Sequence, residues 1–247
     1  MANGQKVYKN SQMPPSRYRP KRLLTLIIVL LVTAYGLLRL GVFTIPPEYD
    51  PFALPDLAAA PNLLTPFKLK LVDSSAENCR AAFAKTGTAL DIEPARTETA
   101  HCVKQDTVKI SRLHTARIRP EETRCSVAAR LFMWEHNVVQ PAARKYFSEP
   151  VVEIMHFGSY ACRTMRGSSS ISEHATANAF DIAGFRLKSG KLITLKKDWQ
   201  GTAQNAKFLR QLRKGACDYF NLVLSPDYNA DHEDHFHVDM GWWRGCN

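Results

Sequence analysis

Asp231-His232-Glu233-Asp234-His235-Phe236-His237-Val238-Asp239 sets three imidazoles and four carboxylates within nine residues, and so holds three of the chain's eight histidines. Phe236 and Val238 mark a strand. Successive side chains of a strand alternate faces, so His235, His237 and Asp239 project together, as ligands of one metal ion would. Neutral imidazole is the commonest biological metal ligand, and carboxylate is its usual companion in catalytic zinc sites that keep one position for water. A solvated polar loop is the competing reading of this stretch alone, so a second source of ligands is needed upstream.

His174 and Asp181 supply it. The residues between them, Ala175-Thr176-Ala177-Asn178-Ala179-Phe180, are small and then apolar, which predicts a tight loop running into a strand that buries Asp181. A buried aspartate is costly without a compensating charge, and a divalent cation is the simplest one. His174, Asp181 and His237 then form a three-ligand N/O set with an open fourth position. This is zinc chemistry by ligand type, with other divalent metals left open.

The start of the 247-residue chain reads differently. Lys6, Lys9, Arg17, Arg19, Lys21 and Arg22 precede an uncharged apolar run from Leu23 to Leu38, and no acidic residue occurs before Glu48. This is a membrane signal with a positive-inside, cytoplasmic end. Extended to Ile45 the run is long enough to span a ~30 Å hydrocarbon core, with Arg39 snorkelling near the outer end. Ala34-Tyr35-Gly36 is a weak peptidase-type cleavage pattern, and the long basic leader favours an uncleaved single-pass anchor instead. The expected organisation is a cytoplasmic basic tail over 1–22, a transmembrane anchor over 23–45, a Pro/Ala-rich periplasmic linker over 46–68 and one globular domain over 69–247.

The first 39 residues carry seven of the 33 basic side chains and no acidic one, leaving 26 against 23 for the rest. The formal charge of +10 is therefore mostly topogenic and gives no argument for nucleic-acid binding. All six cysteines (Cys79, Cys102, Cys125, Cys162, Cys217, Cys246) follow the apolar run, without a CxxC pair, so disulfides are the natural reading. Three bridges allow 15 connectivities, and the spacing chooses none of them.

Within the domain Val108–Ile110 reads as a strand. A helix follows, capped by Ser126, with Val127, Leu131, Trp134 and Val138 on one face and a kink or restart at Pro141. Val151–Phe157, Ala179–Leu187, Leu192–Leu195 and Phe220–Leu224 read as strands, and Thr202–Lys214 as a helix.

Ser172-x-His174-x6-Asp181 together with His235-x-His237 resembles the signature of the zinc metallopeptidases grouped with lysostaphin, the D-Ala-D-Ala carboxypeptidases and hedgehog. A closer resemblance is to the bacterial extensin-like C-terminal domain. It rests on Gly158-Ser159-Tyr160-Ala161-Cys162-Arg163, Ser172-Glu173-His174-Ala175, Asp181-Ile182-Ala183-Gly184-Phe185, Pro226-Asp227-Tyr228-Asn229-Ala230 and His232-x2-His235-Phe236-His237, and covers most of residues 70–247. The resemblance implies an α+β fold in which a small antiparallel sheet carries the zinc site and helices pack on it. It also implies a peptidase acting on peptidoglycan stem peptides, with His174, Asp181 and His237 holding Zn2+.

In that scheme His235 is the catalytic partner, and His232 resembles a third histidine of some relatives. Asp234 is a rival base, because related carboxypeptidases carry a glutamate three positions before the last ligand. Arg163 would stabilise an oxyanion or grip a substrate carboxylate through its fork of donors. Tyr160 and Ser172 are substrate-binding candidates, while His101, His114, His136 and His156 stand alone. The family usually has Gly where this chain has Ala177; if φ is positive there, Ala costs on the order of 1 kcal/mol.

The resulting expectation is a periplasmic, inner-membrane-anchored peptidase of a Gram-negative cell, serving wall growth or an envelope-spanning assembly. The alternative is a non-catalytic module that keeps the metal for stability and binds wall peptide or a partner protein. Which bond is cut and the oligomeric state are left open.

Overall fold

The computed structural model describes residues 20–42, 44–88 and 90–247. The chain divides into two units, Met1–Pro46 and Pro47–Asn247. In the first, helix α1 (Pro20–Arg39) exposes apolar side chains on every side, among them Leu24, Leu26, Leu30, Leu31 and Val32. The stretch with continuously described side chains, residues 23–37, is about 22 Å long at ~1.5 Å per residue, short of a ~30 Å core. No helix among the described residues is long and apolar enough to cross a membrane, so the expected spanning segment is not found there. The basic tail over residues 1–19 lies outside the described residues.

The second unit opens with two short helices, α2 (Thr65–Val72) and α3 (Ala76–Ala84). Ser75 caps α3 by accepting from the Asn78 N–H, satisfying one of the free donors of its first turn. Strands β1 (Asp91–Ile92), β2 (Arg96–Thr99), β3 (Cys102–Lys104), β4 (Thr107–Arg112) and β5 (Arg117–Arg124) follow, and then helices α4 (Cys125–Trp134) and α5 (Gln140–Phe147). Beyond them come β6 (Val151–Gly158), β7 (Ala179–Leu187), β8 (Leu192–Thr194), α6 (Leu195–Asp198), α7 (Gln204–Ala216), β9 (Leu222–Leu224), β10 (Phe236–Asp239) and β11 (Gly245–Cys246).

Nine of these strands form one sheet in the order β1-β4-β5-β6-β7-β10-β9-β11, with β8 also on β7. Two neighbour pairs, β5 with β6 and β9 with β11, are parallel, so the fold is α+β with a mixed sheet. The sheet is thus larger than the small antiparallel one expected, because Arg117–Arg124 carries a strand without the apolar alternation that marks one.

Helices cover the apolar face. Phe83 meets Phe132 edge-on at 5.5 Å, and Phe185 meets Phe208 likewise at 5.6 Å, while Trp134 Nε1 donates to the Leu212 carbonyl. The helix restarts at Pro141, as expected: Glu135–Val139 widen into a π turn, closed by Gln140 N–H to Glu135 O, and α5 begins with Pro141 in its first turn, where the missing N–H of proline is tolerated. Ser126 is not the cap; Arg124 occupies that position and Ser126 Oγ donates to Asn178 Oδ1.

The proline-rich stretch expected as a tether contributes to the core. Leu57 is fully buried, and Leu54 and Ala58 pack beside it, because the spacing of prolines leaves apolar residues between them that find cover on the domain. Three disulfides join Cys79 to Cys125, Cys102 to Cys162 and Cys217 to Cys246.

Candidate metal centre

Two of the proposed ligands meet because of strand register. In the antiparallel pair of β7 and β10, Asp181 stands directly opposite His237, and their neighbours Phe180, Ile182, Phe236 and Val238 are buried in the core. Directly opposed residues share a face with Cβ atoms roughly 5 Å apart, so burying the apolar set forces the polar pair together on the other face. The third ligand comes from a 3-10 turn, Glu173–Thr176, which Ser172 caps by accepting from the His174 N–H.

Asp181 Oδ1 lies 3.2 Å from His174 Nε2 and 3.0 Å from His237 Nδ1, and the two ring nitrogens are 3.1 Å apart. The protons of both rings are committed elsewhere. His174 Nδ1 donates to the Ser159 carbonyl at 2.8 Å, and His237 Nε2 donates to Asp239 Oδ2 at 3.0 Å. A carbonyl and a carboxylate can only accept, so in their neutral forms both rings turn a lone pair on Asp181, whose oxygen brings another. Three lone-pair atoms at such separations repel unless a cation or a proton lies among them.

Orienting each imidazole through its other N–H is also how metal-binding histidines are held. The donor set therefore fits a divalent cation, and zinc by ligand type. Burial alone would push the Asp181 carboxyl up, but His174 and His237 hold it well below the usual carboxylate range. Burial likewise works against a charged His237, yet Asp181 and Asp239 raise it to about 9.

The centre opens into a cleft of about 940 Å³. His235 lines it, with Nε2 3.6 Å from Asp181 Oδ1 and Nδ1 2.9 Å from Asp234 Oδ1. Asp234 itself does not line the cleft, and its carboxylate accepts from His235 Nδ1. His232 lines the cleft with its ring centroid 5.2 Å from that of His235; burial, with His235 and His237 nearby, pushes its pKa down to about 4.

Arg163 also lines the cleft, exposed, and among the described residues it makes no ion pair. Ser172 reaches the wall, with its hydroxyl occupied as the cap. Tyr160 does not reach it: Lys104 Nζ sits 4.4 Å over its ring, and burial pushes its hydroxyl up to about 12. His114 and His136, read as isolated, have ring centroids 4.1 Å apart, and neither lines the cleft.

Two residues orient the rings. Asp239, expected on the ligand face with His235 and His237, instead accepts from His237 Nε2, whereas Ser159 acts through its backbone carbonyl, which no residue type announces. Ala177 ends the 3-10 turn at φ 53°, the positive value anticipated for a position that favours Gly.

An α+β domain with a mixed sheet, built around a candidate His/Asp/His metal centre, is the class that fold and site define. The chain belongs to the family described as extensin-like protein C-terminus, whose family model matches residues 77–247. No curated protein and no solved structure matches the chain.

Proposed function

We propose that the domain is a zinc-dependent hydrolase that cleaves an amide bond in the stem peptides or cross-links of peptidoglycan. The observation that carries this reading is the convergence of ligand atoms from His174, Asp181 and His237 beside a cleft that Asp181, His235 and His237 line. Zinc, when bound, supplies Lewis acidity toward a carbonyl oxygen and acidifies its water.

His235 is placed to take a proton at Nε2 and return it to the leaving amine, because Asp234 holds Nδ1 protonated and fixes the ring. Arg163, whose Nη1 donates to the Thr164 carbonyl and which makes no ion pair among the described residues, offers its remaining donors to the oxyanion or to a substrate carboxylate. His232 is neutral at neutral pH and adds no competing positive charge. The orientation of His235 toward the centre favours hydrolysis over the alternative of a metal-braced binding module. Peptidoglycan as substrate rests on the resemblance of Ser172-x-His174-x6-Asp181 and His235-x-His237 to the peptidase signature, beyond the geometry.

In the sequence, the basic residues ahead of the apolar run Leu23–Leu38 support an inner-membrane anchor with the domain in the periplasm. Wall remodelling, or local opening for an envelope-spanning assembly, is the role this placement suits. Mass spectrometry of muropeptides after incubation with purified sacculi tests the reading. New stem-peptide products should appear, vanish with a chelator, and be absent for His174→Ala and His237→Ala. Undiminished digestion by either variant would overturn it.

A further inference from the structure

Trp242 and Trp243 are 78% and 61% exposed, with ring centroids 4.2 Å apart and planes tilted by 36°. Trp243 and Arg244 line the same cleft as the metal centre. An indole pair left in water is unusual enough to need a purpose when it is also held rigidly. This pair is. Met240 N–H donates to the Asn178 carbonyl, Gly241 N–H to Asp239 Oδ1, and Asn221 Nδ2 to the Gly241 carbonyl at 2.6 Å. On the far side Gly245 N–H donates to Asn221 O, and Cys246 is tied to Cys217.

Asp239 joins the two sites directly, since its other oxygen holds His237. Gly241 allows the close approach, because a Cβ there would stand 2.5 Å from Glu173 Oε1. The loop thus carries the aromatic pair beside the candidate metal centre, with Trp243 on the cleft they share.

We infer that Trp242 and Trp243 form a subsite for the pyranose rings of the glycan strand from which the substrate's stem peptide hangs. This rests on the proposed reading of the metal centre. A sugar presents a face of C–H bonds that stacks on an aromatic ring while its hydroxyl and amide groups keep polar partners, here Arg244 and water. Indoles give such contact at little cost in side-chain entropy. With a stem in the cleft, the sugar carrying it emerges at the rim.

The area argues against a protein partner: at about 150–250 Å² per aromatic side chain the pair exposes on the order of 300 Å², well below the ~800 Å² per partner of a standard interface. A lipid surface is the rival occupant, disfavoured because Trp243 borders the groove.

The test uses the full chain, zinc-loaded in detergent, with peptide-free strands of alternating N-acetylated amino sugars as the probe. Titration should show binding that weakens at least tenfold in W242A/W243A and is largely kept in W242F/W243F. Zinc content, measured on each variant, reports that the fold is intact. The ratio of cleavage rates on glycan-linked over free stem peptides should also fall at least tenfold in the alanine variant.

Strand binding that is absent, or equal in wild type and the alanine variant, overturns the inference, as does tryptophan-dependent binding to phospholipid vesicles without strand binding. Tryptophan-dependent strand binding by a protein that cleaves no stem upholds the subsite and removes the hydrolase reading. Cleavage with an unchanged ratio does the reverse.

Discussion

Strands β7 and β10 pair with apolar residues alternating into the core, whereas β4 and β5 pair with charged residues along much of their length. At the first pair, a slip of one residue would bring His237 inward and expel Phe236 and Val238, so burial itself locks Asp181 opposite His237. At the second, Glu122 accepts from Thr107 Oγ1 and pairs with Arg96 and Lys104, and Cys102–Cys162 ties the neighbouring hairpin to the segment that carries Arg163. The hydrophobic half builds the ligand set, and the polar, cross-linked half positions the cleft wall.

The sharpest way to break this comparison is at the hydrophobic half. Asp181→Ala or His237→Ala removes one of three candidate ligands, and zinc affinity should fall by more than ~100-fold, beyond the 10–100-fold typical of losing an outer-shell partner. Metal analysis after dialysis checks this. Asp239→Asn, which touches only the orientation of His237, should fall within the smaller range. Equal zinc content in wild type and His237→Ala would mean that the register does not create a metal site.

At the other half, replacing Cys102 and Cys162 with serine should cost stability without emptying the centre. Their sequence separation of 60 corresponds to about 4 kcal/mol of unfolded-chain entropy on the loop-closure estimate. Urea denaturation measures the loss. Zinc content should persist, because neither cysteine touches a ligand; its disappearance would show that the two halves are not separable.

A smaller, graded effect sharpens the contrast through pH. In the metal-free protein the raised pKa of His237 contributes stability that is fully present below its ordinary value of 6.5 and is lost as pH rises toward about 9. Asp181, held below the carboxylate range, contributes stability present above 3.8 and lost as pH falls. The chelated domain should therefore be most stable between these limits. Zinc must displace the His237 proton, so its affinity should rise up to about tenfold per pH unit toward 9. Calorimetric titration at several pH values, with proton release measured, decides it; a flat profile would show that His237 enters the site already neutral.

The same division governs what the sequence made legible. The grouping of His174, Asp181 and His237 was legible because ligand types recur at strand and loop spacings, and β7, β9, β10 and α7 were legible through their apolar residues. Strand β5 could not: Arg117-Ile118-Arg119-Pro120-Glu121-Glu122-Thr123-Arg124 has one large aliphatic residue and a proline. It is tolerated there because registered pairing with β6 is confined to Arg117 and Glu153. Beyond that point His156 Nε2 reaches the Arg119 carbonyl and Ser159 N–H reaches Glu121 Oε1, side-chain links that no pattern encodes. Asp234 and His235 were distinguishable only once the ring nitrogen facing each was known.

Ala177 sits where the two halves join, and its replacement by glycine gives the smallest expected change. Its carbonyl accepts from Arg124 N–H, Thr123 Oγ1 and Ser159 Oγ, linking the end of β5 to the turn that carries His174. At φ 53° the methyl costs on the order of 1 kcal/mol, which glycine relieves. Against that, the methyl is fully buried, worth about 0.8 kcal/mol, and glycine adds freedom to the unfolded chain. These effects nearly cancel, so Ala177→Gly should shift stability by less than about 1 kcal/mol and leave zinc affinity unchanged. A loss above about 2 kcal/mol in urea denaturation would mean that packing of this methyl, and not backbone conformation, holds the junction in place.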